Sequence, residues 1–102
     1  MVIFIEYFDP RPGVTGEQVA DCFRRLEGAW QMQWPSNKSK GLYRRKYGIG
    51  EGPMYYSVWE LPDAASLKEW DEKWAEADEV RPLEEEFLTL IKKLDGLLME
   101  KV

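Results

Sequence analysis

Along Met54–Leu61 (MYYSVWEL) aromatic and β-branched residues crowd a stretch that stops at Pro62, the pattern of a strand ending where its next backbone donor is missing. Asp63 is then placed as an N-cap, and Ala64, Leu67, Trp70, Trp74 and Ala77 recur at spacings of three and four, the period of one buried helical face. Met1–Phe8 (MVIFIEYF) is a second strand, with Val2, Phe4 and Phe8 on one face and Ile3, Ile5 and Tyr7 on the other. Both faces therefore need cover. Glu6 interrupts the first face, where a carboxylate either points toward a polar cavity or pairs with a cation from a neighbouring strand, the pair being favoured.

The remaining elements follow in the same way. Asp9–Gly13 (DPRPG) is a loop. Thr15-Gly-Glu-Gln18 has the form of a capping box, followed by Val19, Cys22, Phe23, Leu26 and Trp30 on one face, so a helix runs from about Gly16 until Trp34-Pro35 closes it. Ser36–Gly41 reads as a polar loop and Leu42–Tyr47 as a strand, with Leu42, Arg44 and Lys46 on one face and Tyr43, Arg45 and Tyr47 on the other. A strand this polar suits a sheet edge. Gly48–Pro53 is a glycine-rich hairpin loop; its G-x-G-x-G pattern joins two strands and opens no helix, which argues against a phosphate loop. Pro82 opens a further helix with the stripe Leu83, Phe87, Leu90, Ile91 and Leu94, Asp95-Gly96 turns the chain, and Leu97–Val102 is a last strand.

The order β-α-β-β-α-β, with the second helix broken in two, predicts a single α+β domain over residues 1–102: a four-stranded antiparallel ferredoxin-like sheet with its helices on one face. The apolar residues on both faces of the Met1 and Met54 strands exceed what one helical layer covers, so a homodimer through the free sheet face is expected.

Composition narrows the chemistry. The chain has no histidine, which removes the commonest general base and metal ligand and argues against zinc sites and Ser-His-Asp catalysis. Cys22 is the lone cysteine and falls on a helix's apolar face, the place of a buried thiol. The net charge of −5 disfavours nucleic acid and anionic membranes. Against it stands a basic, tyrosine-bearing strip of Lys38, Lys40, Arg44, Arg45 and Lys46, with no RNA-binding signature beside it. No apolar run approaches the roughly 20 residues that span a bilayer, and a soluble, cytoplasmic protein is expected.

The Tyr55-Tyr-Ser-Val-Trp-Glu-Leu-Pro-Asp63 strand end, followed by Leu67, Trp70 and Trp74, together with the element order and the length of 102 residues, resembles the dimeric α+β barrel superfamily. The joint is similar to those of EthD-like, NIPSNAP-like, antibiotic-biosynthesis-monooxygenase-like and muconolactone-isomerase-like members, and fixes no subfamily. The resemblance implies a cavity between sheet and helices, used by different members for cofactor-free oxygenation of aromatic polyketides, lactone isomerisation or haem chemistry. The missing histidine departs from the haem-dependent members, so no cofactor and no metal are expected.

Two functions stand side by side. One is a dimer that binds a small hydrophobic or aromatic ligand; the other is a cofactor-free enzyme, with Arg44, Arg45 or Lys46 steadying an enolate or carboxylate and Glu6 or Tyr56 handling a proton. The ligand site is placed at Trp30 and Trp34, on the last turn of the first helix, with Tyr43, Arg45 and Tyr47 from the second strand bordering the same cavity; the alternative is that Tyr43 and Tyr47 cover the dimer seam while Trp30 and Trp34 fill the core.

Overall fold

The computed structural model describes residues 1–102, with the elements β1 (Val2–Phe8), α1 (Gly16–Gln33), β2 (Lys38–Arg44), β3 (Tyr55–Leu61), α2 (Ala65–Trp74), α3 (Arg81–Leu90) and β4 (Asp95–Glu100). The strands form one antiparallel sheet in the order β2-β3-β1-β4, the ferredoxin-like topology. No helix is long and apolar enough to cross a membrane.

Local chemistry sets the helix ends. The Gln18 N–H donates to Thr15 Oγ1 at 3.1 Å and the Thr15 N–H donates to Gln18 Oε1 at 2.8 Å, the reciprocal cap that the sequence predicts. The α1 stripe Val19, Cys22, Phe23, Leu26 and Trp30 is buried. Asp63 sits just before α2 and accepts from the Ser66 N–H at 3.0 Å, which makes it the working cap of that helix. Pro82 lies in the first turn of α3, where its missing N–H costs nothing.

Three boundaries differ from the sequence reading, each for a local reason. β2 begins at Lys38 and ends at Arg44, so Arg45 and Tyr47 lie beyond the strand. Its polar first half pairs with β3 because a bulge between Ser39 and Gly41, with Gly41 at φ +104°, restores the register. Gly96 lies within β4, opposite Glu6, instead of in a turn; a Cβ there would come within 3.1 Å of the Phe4 ring, so glycine lets the two strands lie close. α2 stops at Trp74, and Ala77 is buried in the link to α3.

Register divides the sheet into two faces, since residues directly opposite on neighbouring strands point the same way. Val2, Phe4, Glu6 and Phe8 of β1 face the helices, as do Tyr55, Ser57, Trp59 and Leu61 of β3. Ile3, Ile5 and Tyr7 face away from them, with Tyr56 and Val58 of β3, Tyr43 of β2, and Leu97 and Met99 of β4. Tyr43 is 55% exposed, Leu97 41% and Met99 43%, so this outer face presents apolar surface to solvent.

Candidate acid-lined cavity

A cavity lies between the inner face of the sheet and the helices, and aromatic rings build its wall. Trp70 of α2 is central: it stands edge-to-face against Trp59 at 4.9 Å, Trp30 at 5.0 Å and Phe4 at 6.2 Å. The space has two adjoining lobes that share Glu6, Trp30, Trp70 and Glu84. The outer lobe, about 100 Å³, opens past Phe4, Leu67, Asp71 and Trp74. The inner lobe, about 20 Å³, reaches Phe8, Ser57, Trp59 and Phe87. Together they approach the size that accepts one small ring, well below the several hundred Å³ of a drug-sized site.

The charged groups in this wall are acids. Glu6 falls in phase with Val2, Phe4 and Phe8 and so projects inward; its register partners are Ser57 and Gly96, and no cation lines the cavity. The expected pair with a neighbouring strand's cation is therefore absent, because the strand cations stand elsewhere on β2. Burial, with smaller contributions from the charges of Glu84 and Asp71, pushes its carboxyl up from 4.5 to about 7. Burial likewise raises Glu84, with the nearby Trp74 indole opposing the rise and Asp71 adding to it. Two buried polar atoms of the wall have no partner in the protein: Glu84 Oε2 and the indole Nε1 of Trp59. The arrangement is an acid near neutrality, a second acid biased toward its protonated form, and a free N–H donor, all bordering the inner lobe. Such a set can hold a proton at one oxygen and offer hydrogen bonds to another atom of a bound molecule.

The residues singled out from the sequence do not come together in one cavity. Trp30 lines the cavity between sheet and helices. Trp34 is 5% exposed in the core at the end of α1, with the Lys73 ammonium 4.2 Å from its ring. Tyr43, Arg45 and Tyr47 instead line an open groove of about 570 Å³ with Tyr56 and the Gly48–Gly52 loop. Register explains the separation: Tyr43 pairs with Tyr56 on the outer face, whereas the tryptophans of α1 pack against the inner one. Among the candidates for proton transfer, Glu6 enters the cavity, Tyr56 stands on the outer face beside Tyr7 at 6.1 Å, and Arg45 donates to the Gly50 carbonyl at 2.7 Å.

Glu84, Asp71 and the indole of Trp59 were missed as site groups. A signal existed for the first: Glu84 lies three residues before Phe87 and seven before Ile91, on the buried stripe of α3, whereas Glu85 and Glu86 do not. Asp71 lies between Leu67 and Trp74 at the same helical spacing. Nothing in the sequence marks the Trp59 N–H as unpaired.

No protein-family model matches the chain, and no curated protein matches it. Solved structures do. A NIPSNAP family protein from Agrobacterium tumefaciens is similar with a TM-score of 0.77 at 14% identity, over 99% of this chain and 92% of its own. An antibiotic biosynthesis monooxygenase gives 0.70 at 19% identity, over 100% and 99%. A dimeric ferredoxin-like protein of unknown function from Thermobifida fusca gives 0.69 at 12%, over 96% and 88%. The fold is thus the one the resemblance to the dimeric α+β barrels implied; at these identities the likeness establishes the fold and resolves no subfamily.

Proposed function

We propose that the protein is a cofactor-free acid–base catalyst that binds a small, neutral, ring-sized carbonyl compound in the inner cavity and moves a proton on the carbon next to the carbonyl. The observation that carries this reading is Glu6, an acid at about 7 inside an aromatic cavity with no cation to neutralise it. Near neutral pH it is divided between its base and acid forms, which suits it to take a proton and return it. The unpartnered Trp59 N–H, and Glu84 when protonated, supply donors for the negative charge that develops on the carbonyl oxygen. Arg44, Arg45 and Lys46 are not among the residues lining this cavity, and its acids disfavour a carboxylate ligand. Binding of a small aromatic molecule without turnover is the second reading, favoured by the tryptophan walls alone.

The test is exchange of α-protons for deuterium in a panel of small cyclic ketones and lactones, followed by proton NMR. The rate constant should rise with pH through about 7, as the base form of Glu6 fills. Glu6→Gln should lose on the order of 100-fold or more of it. Equal exchange by wild type and Glu6→Gln would refute the catalytic reading and leave the binding one.

The active form is proposed to be a homodimer closed over the outer sheet face, where Ile3, Ile5, Tyr7, Tyr43, Tyr56 and Val58 offer one apolar surface. The Thermobifida fusca protein of the same fold is described as dimeric. Light scattering after gel filtration at low micromolar concentration should give about twice the 12.0 kDa chain mass. Ile5→Lys, a charge placed in the middle of that face, should return the mass to a single chain.

A further inference from the structure

We infer that the groove at the amino end of α1 is a second binding site, for a phosphorylated small molecule, separate from the acid-lined cavity. The groove has a volume of about 630 Å³ and draws Arg44, Arg45 and Lys46 from the end of β2 and Lys92 from the link between α3 and β4. This is a concentration of positive charge in a chain whose net charge is −5. None of these side chains takes part in any ion pair of the protein. The carboxylate beside them, Asp9, is engaged by the Met54 N–H, which donates to its Oδ1 at 2.9 Å.

Two further features point to an anion. The Thr15 hydroxyl takes the Gln18 N–H, leaving the N–H groups of Gly16 and Glu17 without an intrahelical acceptor at the positive end of an 18-residue helix. Independently, Tyr55 is only 8% exposed and its hydroxyl makes no hydrogen bond within the protein, although the side chain lines the groove. The ring is held stacked on Phe8 at 5.7 Å. Its hydroxyl oxygen would lie 2.5 Å from a Cβ at position 16, so glycine at that position is what lets the phenol reach the helix end. Arg44 is the register partner of Tyr55 and shares its face. A phosphate seated there meets a fixed phenol, free backbone N–H groups, the unpaired Arg44 guanidinium and the ammonium groups of Lys46 and Lys92, while the Arg45 guanidinium is held by the Gly50 carbonyl. That combination answers a dianion with several acceptor oxygens better than a single carboxylate.

The experiment is titration of inorganic phosphate and of pyrophosphate into ¹⁵N-labelled protein at constant ionic strength, with acetate as the monoanion control. Saturable shifts centred on the amides of Gly16, Glu17 and Tyr55 are expected for phosphate and pyrophosphate. Arg44→Gln combined with Lys92→Gln should weaken the Kd by about tenfold or more. Tyr55→Phe should weaken it less, and Glu6→Gln should leave it unchanged, which separates this site from the cavity. Shifts that do not saturate, that acetate reproduces, or that survive Arg44→Gln with Lys92→Gln at the same Kd would overturn the inference. The same spectra report whether each variant is folded.

Discussion

Glu6→Gln is expected to make the protein more stable at pH 8.5 than the wild type, by about 3 kcal/mol, while leaving stability near pH 4 almost unchanged. The sign follows from proton binding. In the unfolded chain Glu6 titrates at its ordinary value of 4.5, and in the native protein at about 7. Between those values the native state holds a proton that the unfolded state has lost, so wild-type stability falls as pH rises through that window. Above pH 7 the native protein carries the full cost of a buried charge. The glutamine stays neutral throughout and does not incur it. For a chain of 102 residues the difference corresponds to a rise in Tm on the order of 10 °C at pH 8.5, readable by thermal unfolding followed by circular dichroism. Glu84, raised in the same direction, leaves a smaller pH slope in the variant. A variant less stable than wild type at pH 8.5 would show that Glu6 is held by a favourable partner. Gain of stability with loss of exchange activity is the pattern of a group kept for chemistry at the expense of the fold.

Trp59→Ala should cost about 3 to 5 kcal/mol, the range for truncating a large buried side chain. Trp59 is 2% exposed on β3, an interior strand of the sheet, and packs edge-to-face on Trp70. Removing it opens the floor of the inner lobe and deprives the Trp70 ring of a supporting face. Trp59→Phe separates two roles of the residue. It keeps most of the apolar volume and removes an indole N–H that is buried without a partner, so its stability cost should be much smaller, about 1 kcal/mol or less. Its exchange activity should nevertheless fall, because the N–H proposed as the donor for the carbonyl oxygen is gone. An unchanged melting temperature in Trp59→Ala would mean that the side chain does not pack between sheet and α2.

The fold was legible because its signals are local and repeated. Pro62 and Asp63 mark the β3–α2 joint, Thr15 and Gln18 cap α1, and the period-two pattern of Val2, Phe4 and Phe8 identifies the covered face of β1. Where a residue's role depends on a glycine's backbone, the sequence misled: Gly41 carries a bulge that admits Lys38 and Ser39 to the sheet, and Gly96 is a close contact within β4. The site was legible only in part. Glu6 breaks an apolar face and was singled out on that account, but whether it meets a cation or a cavity depends on β2 lying beyond β3 at the sheet edge, a tertiary fact. Register separates Trp30 and Trp34, packed against the inner face, from Tyr43 on the outer one, and Arg45 and Tyr47 lie beyond the end of β2, although sequence spacing had brought all five together. Glu84 was hidden in a run of three acidic residues, of which only helical phase distinguishes the inward one.

The proton transfer proposed for the cavity between sheet and helices depends on the ionisation of Glu6. Its side-chain carboxyl can be followed directly by ¹³C NMR as pH is raised from 3 to 9, with Glu6→Gln identifying the resonance. A midpoint at about 7 is the predicted result. A midpoint near the ordinary value of 4.5 would mean a solvated carboxylate, and would contradict both the pH dependence of stability and the assignment of this cavity as the functional site.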